Sequence, residues 1–146
     1  MHSEHLPTNA ELAYIAGFFD GEGCVCIYRV RNRTYALAVS VSQVDPRPLI
    51  FVSKFFGGKV SARPPQKGHS KLPYFQWRLS ASNACYFLEQ ILPFLINKKD
   101  QATIAIEFQE NIGHRSVYRL SDNVVSIRRG LAEKAAFLKK QLYSLP

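Results

Sequence analysis

The sequence reads as an α+β domain, a four-stranded antiparallel sheet saddle with helices packed on one face. Hydrophobic spacing is helical up to about residue 23, alternates every second residue over 24–42, and then goes through the same change again. Gly, Pro, Asn and Asp cluster between these stretches, and from Ser80 onward only helical spacing returns. The order helix, hairpin, helix, hairpin, helices in 146 residues fits one domain, 1–146, with its core at about 8–142.

The first helix opens with Thr8 and Glu11, a capping box that satisfies free amides at the helix start. Leu12, Ile15 and Phe19 supply an apolar stripe; Ala13, Ala16 and Gly17 make a second, small-residue face where another backbone can come close. Gly21 and Gly23 are expected to end the helix in a sharp turn. Cys24 to Tyr28 then alternate, RVRNR (29–33) turns the chain, and Tyr35, Leu37, Val39 and Val41 face a core opposite small residues. Asp45-Pro46 reads as a helix start, Asp capping and Pro first in the helix, and Gly57-Gly58 as its end. In the second hairpin Lys59, Ser61 and Arg63 alternate with Val60 and Ala62. After a Pro- and Gly-rich loop (63–73), Tyr74, Gln76 and Arg78 alternate with Phe75, Trp77 and Leu79. A helix opening at Ser80–Asn83 runs to Leu92, where Pro93 interrupts it; 97–111 and 122–143 read as two more, the last with Gly130 inside a stripe of Val124, Ile127, Leu131, Leu138 and Leu142.

The net charge is +8, and it is concentrated. Between Arg29 and Arg78 stand ten basic residues and one acid, Asp45, whereas the rest of the chain carries nine basic and ten acidic residues. So one-sided a segment suits phosphate. No apolar run is long enough for a membrane span, and MHSEHLPT lacks the apolar stretch of a signal peptide. The expectation is an intracellular protein with no membrane partner; organelle (chloroplast or mitochondrion) and prokaryotic cytoplasm both stay open. Cys24, Cys26 and Cys85 read as free thiols, Cys24 and Cys26 being poorly placed along one strand to bond each other. Four scattered histidines offer no zinc spacing.

With helices on one face of the sheet, the other presents Tyr28, Ser40, Lys59, Ser61, Arg63, Gln76 and Arg78. Such a face can lie in a DNA groove, Arg and Gln reading base edges while Lys and Arg meet phosphates.

Residues 15–23, IAGFFDGEG, resemble the signature of the LAGLIDADG homing endonucleases: small Ala-Gly, two apolar positions, then acid, small, acid, Gly. The helix–hairpin–helix–hairpin order behind the motif is similar too. The resemblance implies a site-specific, intron-encoded type of DNA endonuclease whose motif helices pair at a two-fold axis. One motif copy per chain then implies a homodimer acting on a near-palindromic site in double-stranded DNA. Glu22, with the Gly21 carbonyl, would hold Mg2+; Mn2+ would substitute, and Ca2+ would support binding without cleavage. Family members more often carry Asp where Glu22 stands, a side chain one methylene shorter. Gln43, Arg47 and Lys98 match positions that organise water and phosphate around the metals. Ala13, Ala16, Gly17 and Asp20 would form the dimer interface, Asp20 as a structural residue at the helix junction. Cys26, Tyr28, Arg31, Arg33, Ser40, Ser42, Lys59, Ser61, Arg63, Gln76 and Arg78 would face DNA. Relatives on this fold also act as intron maturases, so intron RNA is an alternative partner. A non-cleaving DNA-binding regulator is the other alternative.

Overall fold

The computed structural model describes residues 5–31, 34–68, 71–111 and 122–141. Helix α1 (Asn9–Glu22) begins at the expected box: Glu11 N donates to Thr8 Oγ1 at 3.2 Å, and Thr8 N to Glu11 Oε1 at 3.0 Å. Strands β1 (Gly23–Val30) and β2 (Thr34–Gln43) form the first hairpin. Helix α2 (Arg47–Phe56) leads to the second, β3 (Lys59–Arg63) and β4 (Tyr74–Ser80). The sheet runs β1-β2-β4-β3, antiparallel throughout, so the two hairpins meet along β2 and β4.

Register sorts the two faces. Val25 lies opposite Val39, and Val39 opposite Leu79; Val41 lies opposite Trp77, and Trp77 opposite Val60. These side chains build the core with the helices. On the other face Cys24, Ser40, Arg78 and Lys59 form one cross-strand row, and Ser42, Gln76 and Ser61 a second.

Helix α3 (Ala81–Ile91) follows β4 directly and passes into a 3-10 turn, Leu92–Phe94, at Pro93. Helices α4 (Lys99–Glu110) and α5 (Asp122–Lys140) complete the chain as described; Leu142 and the rest of 142–143 lie outside the described residues, as does the side chain of Val124. Phe87 of α3 packs edge-on against Phe56, Trp77 and Phe19, with ring centroids 4.9, 5.1 and 5.2 Å away. Trp77 is fully buried, and its indole N–H donates to the Gly57 carbonyl at 2.8 Å, so the core holds this polar group satisfied. Gly57 and Gly58 take φ of 71° and 86°, the left-handed turn that lets α2 fold back onto this indole.

Three expectations need correction. Gly21 does not end α1: it stays helical, Gly23 is the C-cap, and neither adopts a left-handed φ. Glycine is needed at 23 because a Cβ there would collide with the Phe19 ring. Helix α2 starts at Arg47 rather than Pro46, with Pro46 as the N-cap; the Asp45 carboxylate still accepts the Arg47 amide at 2.9 Å. Finally, the open sheet face is covered at one place. Helix α5 touches β1 and β2, and Lys139 reaches the sulfurs of Cys24 and Cys26. Ala38, which points away from the core-facing Leu37 and Val39, is buried as well.

Candidate active site

The C-terminus of α1 gathers the chemistry. Asp20 spends both carboxylate oxygens inside the chain: Oδ2 accepts from Ile96 N at 2.7 Å and Oδ1 from Lys98 N at 2.9 Å. Its carbonyl accepts from Lys98 Nζ at 2.5 Å and Asn97 Nδ2 at 3.2 Å. Asp20 therefore fastens the segment that follows the 3-10 turn to the end of α1 and fixes the Lys98 ammonium there. Glu22, two residues on, is exposed. The Gly21 and Glu22 carbonyls lie beyond the last bond of the helix ladder, which runs from Gly23 N to Phe19 O. The last turn carries no basic residue, so carbonyls and carboxylate add to the negative end of the helix dipole. Hard oxygen donors in that field suit Mg2+. Among the described residues no three His, Cys, Asp or Glu side chains come together in one chain.

Glu22 opens onto a cleft of about 420 Å³ lined by Ser42, Gln43, Val44, Gln66, Tyr74 and Gln76. Of the four candidate catalytic residues, Glu22, Gln43 and Lys98 are thus brought to the end of α1, and Arg47 is not. Its guanidinium grips Asp45, Nη2 to Oδ2 at 2.6 Å and Nε to both oxygens at 3.0 Å. The pair lies in a separate groove with Tyr14, Pro48 and Phe51. Local chain geometry decides this, since a carboxylate two residues upstream of the first helical position lies within easy reach. The Arg47 side chain, bonded to Asp45, is the main reason that the Asp45 carboxyl is held down at about 2.

The candidate DNA-facing residues fall into order on the open face. Arg78 sits with its guanidinium carbon 5.4 Å from the centre of the Tyr28 ring, and Lys59 and Ser40 flank it in register. Ser61 pairs with Gln76, Gln76 with Ser42, and Arg63 with Tyr74. Arg31 is exposed just past β1, while Arg33 lies outside the described residues. Cys26 is half-buried: its sulfur lies 3.4 Å from that of Cys24, and Lys139 Nζ is 3.4 Å from Cys24 Sγ and 3.7 Å from Cys26 Sγ. The hydrogen bond between the two sulfurs and the Lys139 charge pull the Cys24 thiol down; the same bond and burial push Cys26 up. Cys24 and Cys26 are therefore closer neighbours than strand alternation suggested.

Of the candidate dimer residues, Ala13 and Gly17 are exposed on α1, next to Gly21 on the same side. A Cβ at Gly17 or Gly21 would meet nothing among the described residues. Ala16 is fully buried in the chain's own core and so faces no second copy; Asp20 is half-buried, its carboxylate bonded to residues 96 and 98. Sequence reasoning passed over Tyr74, Gln66, Val44, Cys24 and Lys139. Tyr74 shares an alternation row with Gln76 and Arg78, and Cys24 one with Cys26, usable signals; Gln66 and Lys139 come to the site only through tertiary contacts.

No family model and no curated protein matches the sequence. Solved structures do match. The homing endonuclease I-CvuI, in complex with a DNA target, superimposes with a TM-score of 0.71 and 19% identity, over 93% of this chain and 86% of that one. The archaeal intron-encoded homing endonuclease I-Vdi141I, complexed with DNA, gives a TM-score of 0.73 at 18% identity, over 92% of this chain and 87% of that one. The I-SmaMI LAGLIDADG homing endonuclease bound to cleaved DNA gives 0.58 at 24% identity, over 88% of this chain but 44% of that one. The chain has the LAGLIDADG homing endonuclease fold. Within that fold α1 carries the acidic motif of residues 15–23, and the four strands form the sheet beside it. No helix among the described residues is long and apolar enough to cross a membrane.

Proposed function

We propose that this chain is a site-specific homing endonuclease that binds a long, near-palindromic double-stranded DNA site as a homodimer. It hydrolyses both strands across the minor groove with divalent metal ions. The observation that supports this reading is that Glu22 shares a cleft with Gln43 beside the basic sheet face, while Lys98 is bonded to Asp20 at the same helix end. I-CvuI, I-Vdi141I and I-SmaMI, which share the fold, are each bound to DNA, and I-CvuI structures were obtained with Mg and with Ca.

Each residue has a task. Glu22 and the Gly21 carbonyl would hold Mg2+, which supplies Lewis-acid stabilisation of the scissile phosphate and a water of lowered pKa. One chain offers too few oxygens for an octahedral shell, so phosphate, water and the Glu22 of a second copy would complete it. Lys98, held at Asp20, meets negative charge as it develops on phosphate, and the Gln43 amide orients water. Arg47 joins them only if it leaves Asp45 on binding DNA. Ala13, Gly17 and Gly21 let two LAGLIDADG helices approach closely, placing their Glu22 residues on either side of the symmetry axis. Arg78, Lys59, Arg63, Gln76 and Tyr28 of each sheet would read a half-site.

Selection from a random duplex library with Ca2+, followed by Mg2+ added to the bound pool, tests this. The expected result is a long near-palindrome that Mg2+ cuts on both strands, with Glu22→Gln binding it and leaving it uncut. A bound site that Mg2+ leaves whole would indicate the regulator, and recovery of no specific DNA would move the reading to RNA.

A further inference from the structure

We infer that Tyr28 is a positioning residue for Arg78, and that Arg78, so held, reads one guanine in each half-site. The inference rests on the nuclease reading above and narrows it to a base. Tyr28 stands on β1 and Arg78 on β4, with β2 between them, so two strand spacings of about 9.4–9.8 Å in all separate their backbones. The register places Ala36 of β2 opposite Tyr28 and Ser40 opposite Arg78. Ala38 lies between those two on the same face and is 1% exposed, in keeping with long side chains that meet above it. Small side chains on β2 thus leave the room in which the guanidinium carbon comes to 5.4 Å from the centre of the Tyr28 ring.

Three arginines differ in the donors they have to offer. Arg47 spends its guanidinium on Asp45, and Arg128 is buried over the Phe108 ring. Arg78 is exposed, and among the described residues no hydrogen bond or ion pair engages it. A guanidinium over an aromatic ring gives up rotational freedom and keeps its N–H edge for a partner. Lys59 stands directly opposite Arg78 in the ladder, and two like charges side by side destabilise a sheet until an anion meets them. Lys59 suits phosphate, as a compact charge. The planar fork of Arg78 suits the paired O6 and N7 acceptors that guanine alone presents in the major groove; adenine sets an amino donor beside its N7.

The site recovered from the Ca2+ selection with the full chain is synthesised with each guanine of one half-site replaced in turn by 7-deazaguanine, which lacks the N7 acceptor. Dissociation constants are measured for the wild type, Arg78→Ala, Tyr28→Leu and Tyr28→Phe. For the wild type, one such replacement should weaken binding about tenfold. That ratio should fall to about one in Arg78→Ala and to about threefold in Tyr28→Leu, which keeps apolar bulk but offers no π face, and should stay near tenfold in Tyr28→Phe. The ratio separates positioning from a structural role, because a variant that only loosens the sheet weakens both duplexes alike. Tyr28→Leu with the full ratio overturns the positioning role, and so does Tyr28→Phe without it. A wild type that binds and cuts its site with no guanine read through Arg78 overturns the base assignment and leaves the nuclease reading standing. A wild type that binds no specific duplex defeats both.

Discussion

The side of α1 that carries Leu12, Ile15, Ala16 and Phe19 is buried, whereas the side that carries Ala13, Gly17 and Gly21 is exposed. On the buried side each residue has a stated reason within the chain: Ile15 and Ala16 fill the core, and Phe19 packs edge-on against Phe87 while closing off the space beside Gly23. On the exposed side nothing among the described residues calls for small residues, since a Cβ at Gly17 or Gly21 would meet none of them. Glycine inside a helix costs about 0.8–1 kcal/mol relative to alanine. Two such positions kept at that cost point to a surface closely approached from outside. The two carboxylates at the helix end divide the same way, Asp20 bonded within the chain and Glu22 exposed on the cleft.

The strongest way to break the buried side is Phe19→Ala, expected to cost about 3–5 kcal/mol through lost transfer energy and a cavity beside Phe87. Urea denaturation measures it; a loss below about 1 kcal/mol would mean that the aromatic cluster is not what holds α1. Next comes a pair one residue apart. Ala16→Leu should destabilise by about 1–3 kcal/mol by overpacking the core. Gly17→Leu should leave the monomer at least as stable while converting a sedimenting dimer to monomer, and a dimeric, fully active Gly17→Leu would refute the exposed-side reading. Smaller is Asp20→Asn, since an amide has one acceptor for the two backbone donors of residues 96 and 98. About 1 kcal/mol and faster amide exchange at Ile96 or Lys98 are expected. Smallest is the Asp45–Arg47 pair, which is solvent-exposed. Arg47→Ala should return the Asp45 carboxyl from about 2 towards its ordinary 3.8, read by NMR titration. The sign follows: a depressed carboxyl stabilises the fold above its ordinary pKa, and that contribution disappears as pH falls through about 2.

Much of the fold was legible because its signals are local. The Thr8–Glu11 box, the alternation across β2 and the Gly57-Gly58 stop each lie within a few residues of what they determine. The site was legible in part, through the motif at 15–23 and through Gln43 and Lys98. What escaped depends on distance along the chain or on rival partners close by. Spacing does not show that Asp20 is bound to residues 96 and 98, nor that Lys139 returns to Cys24. The pairing of Arg47 with Asp45 is legible in principle, because Asp45 stands two residues before it. Ala16 was misassigned to the exterior because an apolar stripe and a small-residue stripe on one helix share a border.

The bonds from Asp20 to residues 96 and 98 span 76 and 78 positions of sequence. During synthesis the acidic motif leaves the ribosome early, long before the lysine that is to stand beside it. Until that later segment docks, the end of α1 lacks the ammonium that is bonded to the Asp20 carbonyl, and a nascent or prematurely terminated chain carries the motif without it. On the nuclease reading proposed above, incomplete forms of the chain would carry the acids without the lysine, a safeguard that follows from the order of the residues alone.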